Sequence, residues 1–124
     1  MRLLLDTHVL LWVLAGDKRL TRSSRDILTS ADTVVVSVVS AWEITLKAAA
    51  GKLRAPEDLE EAVRESGLSM TTLDFADVAE SARLPVRHSD PFDRMLVAQA
   101  RVRGLTMMSK DRQLEGYDVP LLLI

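Results

Sequence analysis

Residues 2–8 read Arg-Leu-Leu-Leu-Asp-Thr-His, and the step from three leucines to an acid sets how the rest of the chain is read. Consecutive apolar residues without alternation describe a strand buried on both faces, as in parallel sheets. Two further runs share the pattern: residues 33–36 (Thr-Val-Val-Val), followed by Ser37, and residues 106–108 (Thr-Met-Met), followed by Ser109-Lys110-Asp111. Residues 68–73 and 119–123 are weaker strand candidates. Helical periodicity fills the gaps. Phe75, Val78, Ala79 and Ala82 fall at i, i+3, i+4, i+7; Leu59, Ala62 and Val63 form a stripe; residues 40–50 read as a helix ending near Gly51; and a helix carrying Phe92, Met95, Leu96 and Val102 begins at Pro91 and stops at Gly104. Alternating β and α segments predict an α/β fold, a parallel β-sheet flanked by helices in three Rossmannoid layers, with residues 1–124 as a single domain.

Composition narrows the class. The 124 residues are 48% hydrophobic and 27% charged, which is globular usage. The absence of cysteine excludes disulfides, thiolate zinc sites and cysteine nucleophiles, and it fits a reducing compartment. The longest apolar run, residues 9–15, is too short to span a bilayer, and no secretory signal is evident, so a cytoplasmic protein without membrane attachment is expected. The formal net charge is −2, but it is unevenly spread. Residues 56–81 hold eight acids and one base, read as a solvated helix surface, leaving +5 on the rest, enough for a basic face.

In parallel sheets, ligands bind beyond the carboxyl ends of the strands. Asp6 and Thr7 follow the first run, Ser37 and then Glu43 follow the second, Ser109 and Asp111 follow the third, and Asp93 lies in the first turn of the helix that feeds it. Each acid also has a local reading. Asp6 can cap a helix over residues 8–14. Ser40-Ala41-Trp42-Glu43 has the form of a capping box, with Lys47 placed for an i,i+4 ion pair. Asp90 suits an N-cap before Pro91, Asp93 complements the helix dipole, and Asp111 can cap the turn after it. Together, however, such carboxylates repel and raise one another's pKa values unless a cation joins them. Oxygen ligands without thiols favour Mg²⁺, with Mn²⁺ as the alternative, over zinc. The two histidines, His8 and His88, make a poor zinc site, and His88 is read as steadying the loop before Asp90.

The opening Leu-Leu-Leu-Asp-Thr-His, the Trp42-Glu43-Ile44 segment, the block from His88 through Asp90-Pro91-Phe92-Asp93-Arg94 to Ala100, and the late Ser109-Lys110-Asp111 resemble a PIN domain, and more specifically the VapC-type ribonuclease toxins of bacterial toxin–antitoxin pairs. The resemblance runs from residue 3 to residue 111. It implies a PIN-like fold and a Mg²⁺-dependent endoribonuclease. Asp6, Glu43 and Asp93 match the three core acids, Asp111 the more variable fourth, and Thr7 and Ser109 the supporting hydroxyls. Asp90 competes with Asp93, which is in register with the family's helix. The resemblance also implies homodimers and a cognate antitoxin laid across the groove.

On this reading the four acids Asp6, Glu43, Asp93 and Asp111 are both catalytic and metal-binding. Asp6 and Asp93 bind the ion, Glu43 positions or deprotonates the attacking water, and Asp111 supports a second or transient ion. Arg94, Lys110 and Arg112, with Arg87 beside them, are expected to grip the RNA substrate, and Lys18, Arg19, Arg22 and Arg25 form a more distant basic group. The nearly all-apolar residues 9–14 are expected to meet the antitoxin in part. Two other readings stand beside this one: a catalytically weak PIN-like RNA-binding or interaction domain, and a receiver-like phosphoacceptor domain, which has an acid after its first strand and a late lysine but needs a second early acid where Thr7 stands.

Overall fold

The computed structural model describes residues 1–85 and 90–124; Arg87, His88 and Ser89 of the sequence motif lie outside it. Five strands form one fully parallel sheet: β1 (Arg2–Leu5), β2 (Thr33–Ser37), β3 (Ser69–Thr71), β4 (Thr106–Ser109) and β5 (Leu121–Leu123), in the spatial order β3-β2-β1-β4-β5. The helices are α1 (Thr7–Ala15), α2 (Arg22–Ser30), α3 (Val38–Ala49), α4 (Leu59–Glu65), α5 (Phe75–Arg83) and α6 (Pro91–Arg103). A 3₁₀ turn, Arg112–Gly116, precedes β5. This is the α/β layering that the apolar runs predict, with the two weaker strands trimmed to three residues each.

Alternation within the buried strands divides the core into two layers. Leu4, Val35 and Met107 point to one face and pack with Leu96, Val97 and Ala100 of α6. Leu3, Leu5, Val36 and Met108 point to the other and pack with Val9, Leu10 and Trp12 of α1, Ile44 of α3 and Val63 of α4. The triple leucine is thus a central strand whose neighbours cover both sides. Two helix ends are fixed by glycine: Gly16 after α1 and Gly104 after α6 adopt φ of 60° and 66°, left-handed values that disfavour any side chain.

Two elements differ from the sequence expectation. Helix α3 starts at Val38 because the Ser37 hydroxyl accepts from the Val39 amide, so Ser40 is inside the helix and no Ser40–Glu43 capping box forms. Helix α5 is present, but its apolar stripe faces outward: Phe75 is 93% exposed, Val78 46%, and Ala79 and Ala82 are also exposed. Its inward face is polar. Asp77, read with the solvated acids, is fully buried, where the two terminal guanidinium nitrogens of Arg103 and the amide of Gln99 donate to it.

Candidate functional site

The chain turns to opposite sides of the sheet on leaving β1 and β4, so the space beyond their carboxyl ends is where a parallel sheet of this order leaves a crevice. A cleft of about 330 Å³ lies there, lined by Asp6, His8, Glu43, Asp90, Asp93, Lys110, Asp111 and Arg112. The four predicted acids, 105 positions apart in the chain at their extremes, are brought to one cavity, with Asp90 as a fifth.

Four of the acids reach the cleft from the ends of elements, and Glu43 reaches it from within a helix. Asp6 follows β1 and is 3% exposed. Its carboxylate accepts from the Thr7 amide at 2.6 Å and from the Ser109 hydroxyl at 2.5 Å. Capping and site placement therefore coexist in one side chain. Burial raises the Asp6 pKa, against the opposing pull of the Ser109 hydroxyl, the Thr7 amide and His8, with Glu43 adding to the rise. Glu43, in the second turn of α3, is 2% exposed. Its Oε1 accepts from the Thr7 hydroxyl at 2.6 Å, which also lies 3.0 Å from the Ser40 hydroxyl. Its Oε2 accepts from Lys47 Nζ, the predicted ion pair.

Asp90 caps α6, accepting from the amides of Phe92 and Asp93 at 2.9 and 3.3 Å. Asp93 is 9% exposed, and its pKa is pushed up to about 8, first by burial and then by the charges of Asp6, Asp90, Glu43 and Asp111. That dependence places all four other acids within electrostatic range of Asp93. Asp111 caps the 3₁₀ turn by accepting from Gln113 N at 2.9 Å, while Ser109 Oγ accepts from the Asp111 amide at 3.0 Å. Ser109 thus ties the acid after β1 to the one after β4.

The donor set fits a hard divalent cation: five carboxylates line the cleft with no thiol, and the elevated pKa of Asp93, due first to burial and then to the neighbouring acids, includes a like-charge part that a cation would relieve. The carboxylates are not, however, drawn into a cage. Among the described residues no three Asp, Glu or His side chains stand as a ready metal-ligand group. The acids share a cleft while hydroxyls, amides and an ammonium hold several of their oxygens.

The basic residues divide. Lys110 and Arg112 line the cleft. Arg94 does not: its guanidinium donates to the carbonyls of Ser81, Leu84 and Pro85 and clamps the end of α5. Successive helical residues point about 100° apart, so Arg94 faces a different side of α6 from Asp93. Arg19 pairs with Asp17 and lies over the Trp12 ring, and Arg25 donates to the carbonyls of Leu20 and Asp17, so both serve local structure. Sequence reasoning gave Ser40 only a capping role and gave Gln99 none. Gln99 is fully buried, accepts from the Ser37 hydroxyl that caps α3, and donates to the Thr72 carbonyl and Asp77. Its signal was a lone amide within the apolar stretch Leu96-Val97-Ala98-Gln99-Ala100.

Beside the cleft, and sharing His8 with it, a second groove of about 470 Å³ is lined by Leu11, Trp12 and Leu14 of α1, Asp17 and Arg19, and residues 53–56.

The PIN domain family model matches residues 3–120. Ribonuclease VapC22 of Mycobacterium tuberculosis is 29% identical across 94% of this chain and 92% of its own length. Two solved structures share the fold. DNA-bound VapBC from Salmonella typhimurium superposes with a TM-score of 0.73 at 18% identity, covering 98% of this chain and 97% of that one. VapBC2 from Rickettsia felis, bound to a promoter DNA fragment, superposes with a TM-score of 0.72 at 10% identity, covering 99% and 98%.

Proposed function

Because the chain belongs to the PIN domain family, we propose that it is a metal-dependent endoribonuclease that hydrolyses RNA phosphodiesters and acts as the toxin of a toxin–antitoxin pair. The observation that carries this reading is the cleft beyond β1 and β4, where five acids and two bases converge. The similarity to a ribonuclease VapC across nearly the whole chain supports it. Membership of the PIN family also removes the receiver-like alternative.

Asp6 and Asp93 would hold Mg²⁺ or Mn²⁺, with Glu43 beside them and Asp111 supporting a further or transient ion. When bound, the cation neutralises charge at the phosphate and makes water a better nucleophile. The chain's own residues do the rest. Glu43, fixed by Thr7 and Lys47, orients the attacking water and takes its proton as oxygen adds to phosphorus. The bond to the leaving oxygen breaks in line. The Ser109 hydroxyl and the Thr7 amide hold the Asp6 carboxylate in place and oppose the rise in its pKa that burial causes. Lys110 and Arg112 bind the flanking phosphates.

The protein works in the cytoplasm with two protein partners. A cognate antitoxin segment lies in the groove along α1, whose lining is mainly apolar and includes Arg19 and Arg54. A second copy of the chain covers the outward apolar residues: Val38, Trp42 and Leu46 on one side of α3, and Met70, Leu73, Phe75 and Val78 along β3 and α5. The decisive experiment is cleavage of RNA by purified protein. Cleavage should require Mg²⁺ or Mn²⁺, stop with EDTA, and fall at least about 100-fold in Asp6→Asn. RNA binding without metal-dependent cleavage would leave the weak RNA-binding reading in its place.

A further inference from the structure

Glu43 is a buried carboxylate with both oxygens engaged, one by a neutral hydroxyl and the other by an ammonium. The ammonium belongs to Lys47, one helical turn further along α3, with Nζ 2.5 Å from Glu43 Oε2. Ordinary i,i+4 pairs join two solvated side chains and contribute a few tenths of a kcal/mol. This pair is lopsided: the Glu43 side chain is 3% exposed and that of Lys47 is 36% exposed. Lys47 is not among the residues lining the cleft, so it does not obstruct the cavity. Yet its charge senses more than its partner. The Lys47 pKa is raised chiefly by the hydrogen bond to Glu43, against a smaller opposing effect of burial, and further by Asp90 and Asp93. A positive charge is therefore paired with the Glu43 carboxylate that lines the cleft, and it interacts with Asp90 and Asp93 as well.

We propose that Lys47 is a resident monocation of this cleft, neutralising Glu43 in place of part of a metal's charge and thereby limiting how tightly the cleft binds a divalent cation. It acts through Glu43 and the field in the cleft, as a tuning and positioning residue. The inference deepens the proposed function and rests on its metal reading.

Two consequences separate it from simple helix stabilisation. First, an incoming divalent cation competes with the ammonium for the Glu43 carboxylate and is repelled by it. Repulsion between a monocation and a dication sharing one cleft is enough, even at the dielectric of bulk water, to weaken binding about tenfold, and more where the cleft is partly buried. Second, the effect follows charge, so arginine preserves it while methionine and glutamine remove it. A purely structural lysine predicts the opposite: its loss frees Glu43 to swing away and weakens the metal.

The test is calorimetric titration of Mn²⁺ into metal-stripped protein, together with counting of bound Mn²⁺ by electron paramagnetic resonance. The proteins compared are wild type, Lys47→Met, Lys47→Arg and Asp6→Asn. Lys47→Met should bind Mn²⁺ at least about tenfold more tightly than wild type. Lys47→Arg should stay within about threefold, and the Mg²⁺ midpoint for RNA cleavage should shift down in Lys47→Met in parallel. Equal or weaker Mn²⁺ binding by a folded Lys47→Met overturns the proposal. If methionine prevents folding, Lys47→Gln, which retains a hydrogen-bond donor without the charge, must show the same tightening. Binding by wild type that is lost in Asp6→Asn, with no change in Lys47→Met, defeats this inference alone. No Mn²⁺ binding by wild type defeats it together with the metal reading beneath it.

Discussion

Replacing Arg103 by methionine should cost about 3–4 kcal/mol of stability, because it removes the partner of a charge that has no route to water. The Asp77 side chain is fully buried, and that of Arg103 is 18% exposed. The guanidinium donates to both Asp77 oxygens, to Thr71 Oγ1 at 2.9 Å and to the Thr72 carbonyl at 3.2 Å, bridging α6, α5 and the end of β3. Methionine keeps much of the arginine stem but none of the donors. Asp77 is then left with the Asp74 amide and Gln99 at 2.9 and 3.2 Å. Two bonds to a buried carboxylate are fewer than it needs, so the penalty approaches that of breaking a buried ion pair rather than a surface one. For a chain of 124 residues this corresponds to a fall in Tm of roughly 10–20 °C. The pH dependence gives an independent sign. Burial works against the Asp77 charge, but the Arg103, Asp74 and Gln99 bonds outweigh it and hold its pKa below the ordinary 3.8. The pair's contribution is therefore full above that value and disappears as pH falls through the lower, folded one. Thermal and urea melts at pH 7 should show the whole deficit of Arg103→Met, and melts near pH 3 a smaller one. A loss under about 1 kcal/mol at pH 7, or a deficit that grows in acid, would refute the reasoning.

Three further outcomes follow from single observations. The pKa of Asp93, raised to about 8, means the folded protein holds this proton more tightly than the unfolded chain. Stability measured in EDTA should therefore decline as pH rises from the ordinary carboxylate range towards 8, and saturating Mg²⁺ should flatten the slope; a slope unchanged in Asp93→Asn would contradict the assignment. The Tyr117 hydroxyl is buried without a hydrogen-bond partner among the described residues, so Tyr117→Phe should leave Tm unchanged or raise it slightly, and a loss above about 1 kcal/mol would reveal a partner. Phe75 is almost wholly solvent-facing, so the double change Phe75→Glu and Val78→Glu should barely alter Tm while shifting sedimentation towards a single chain; an unchanged oligomeric state would place the second copy elsewhere.

What the sequence disclosed and what it hid have the same physical origin. Strands β1, β2 and β4 were legible because a strand covered on both faces cannot alternate, so an unbroken apolar run, three residues in β1 and β2 and two in β4, identifies it and the next polar residue lies at the sheet's edge. Asp6 and Asp111 could therefore be placed beyond the strand ends from the strand order, whereas Glu43 and Asp93, which locally read as capping and dipole residues, joined them through the family resemblance. What a pattern along one element does not contain is the identity of the neighbour it meets. Helix α5 has a clean apolar stripe, yet its neighbour α6 offers Gln99 and Arg103, and the polar face turns inward to meet them. Arg94 adjoins Asp93 in sequence, but a helix separates adjacent residues in direction, and the carbonyls at the end of α5 claim its guanidinium. The start of α3 turned on one hydroxyl: Ser37 satisfies the Val39 amide, the β-branched pair Val38-Val39 enters the helix instead of prolonging β2, and Glu43 moves from a capping position to one that faces Thr7. Ser37 is in turn a donor to Gln99, which bonds Asp77. The setting of the helix that carries Glu43 thus depends on the same buried network whose removal Arg103→Met tests. Loosening that network should lower RNA cleavage along with stability, even though none of its members lines the cleft.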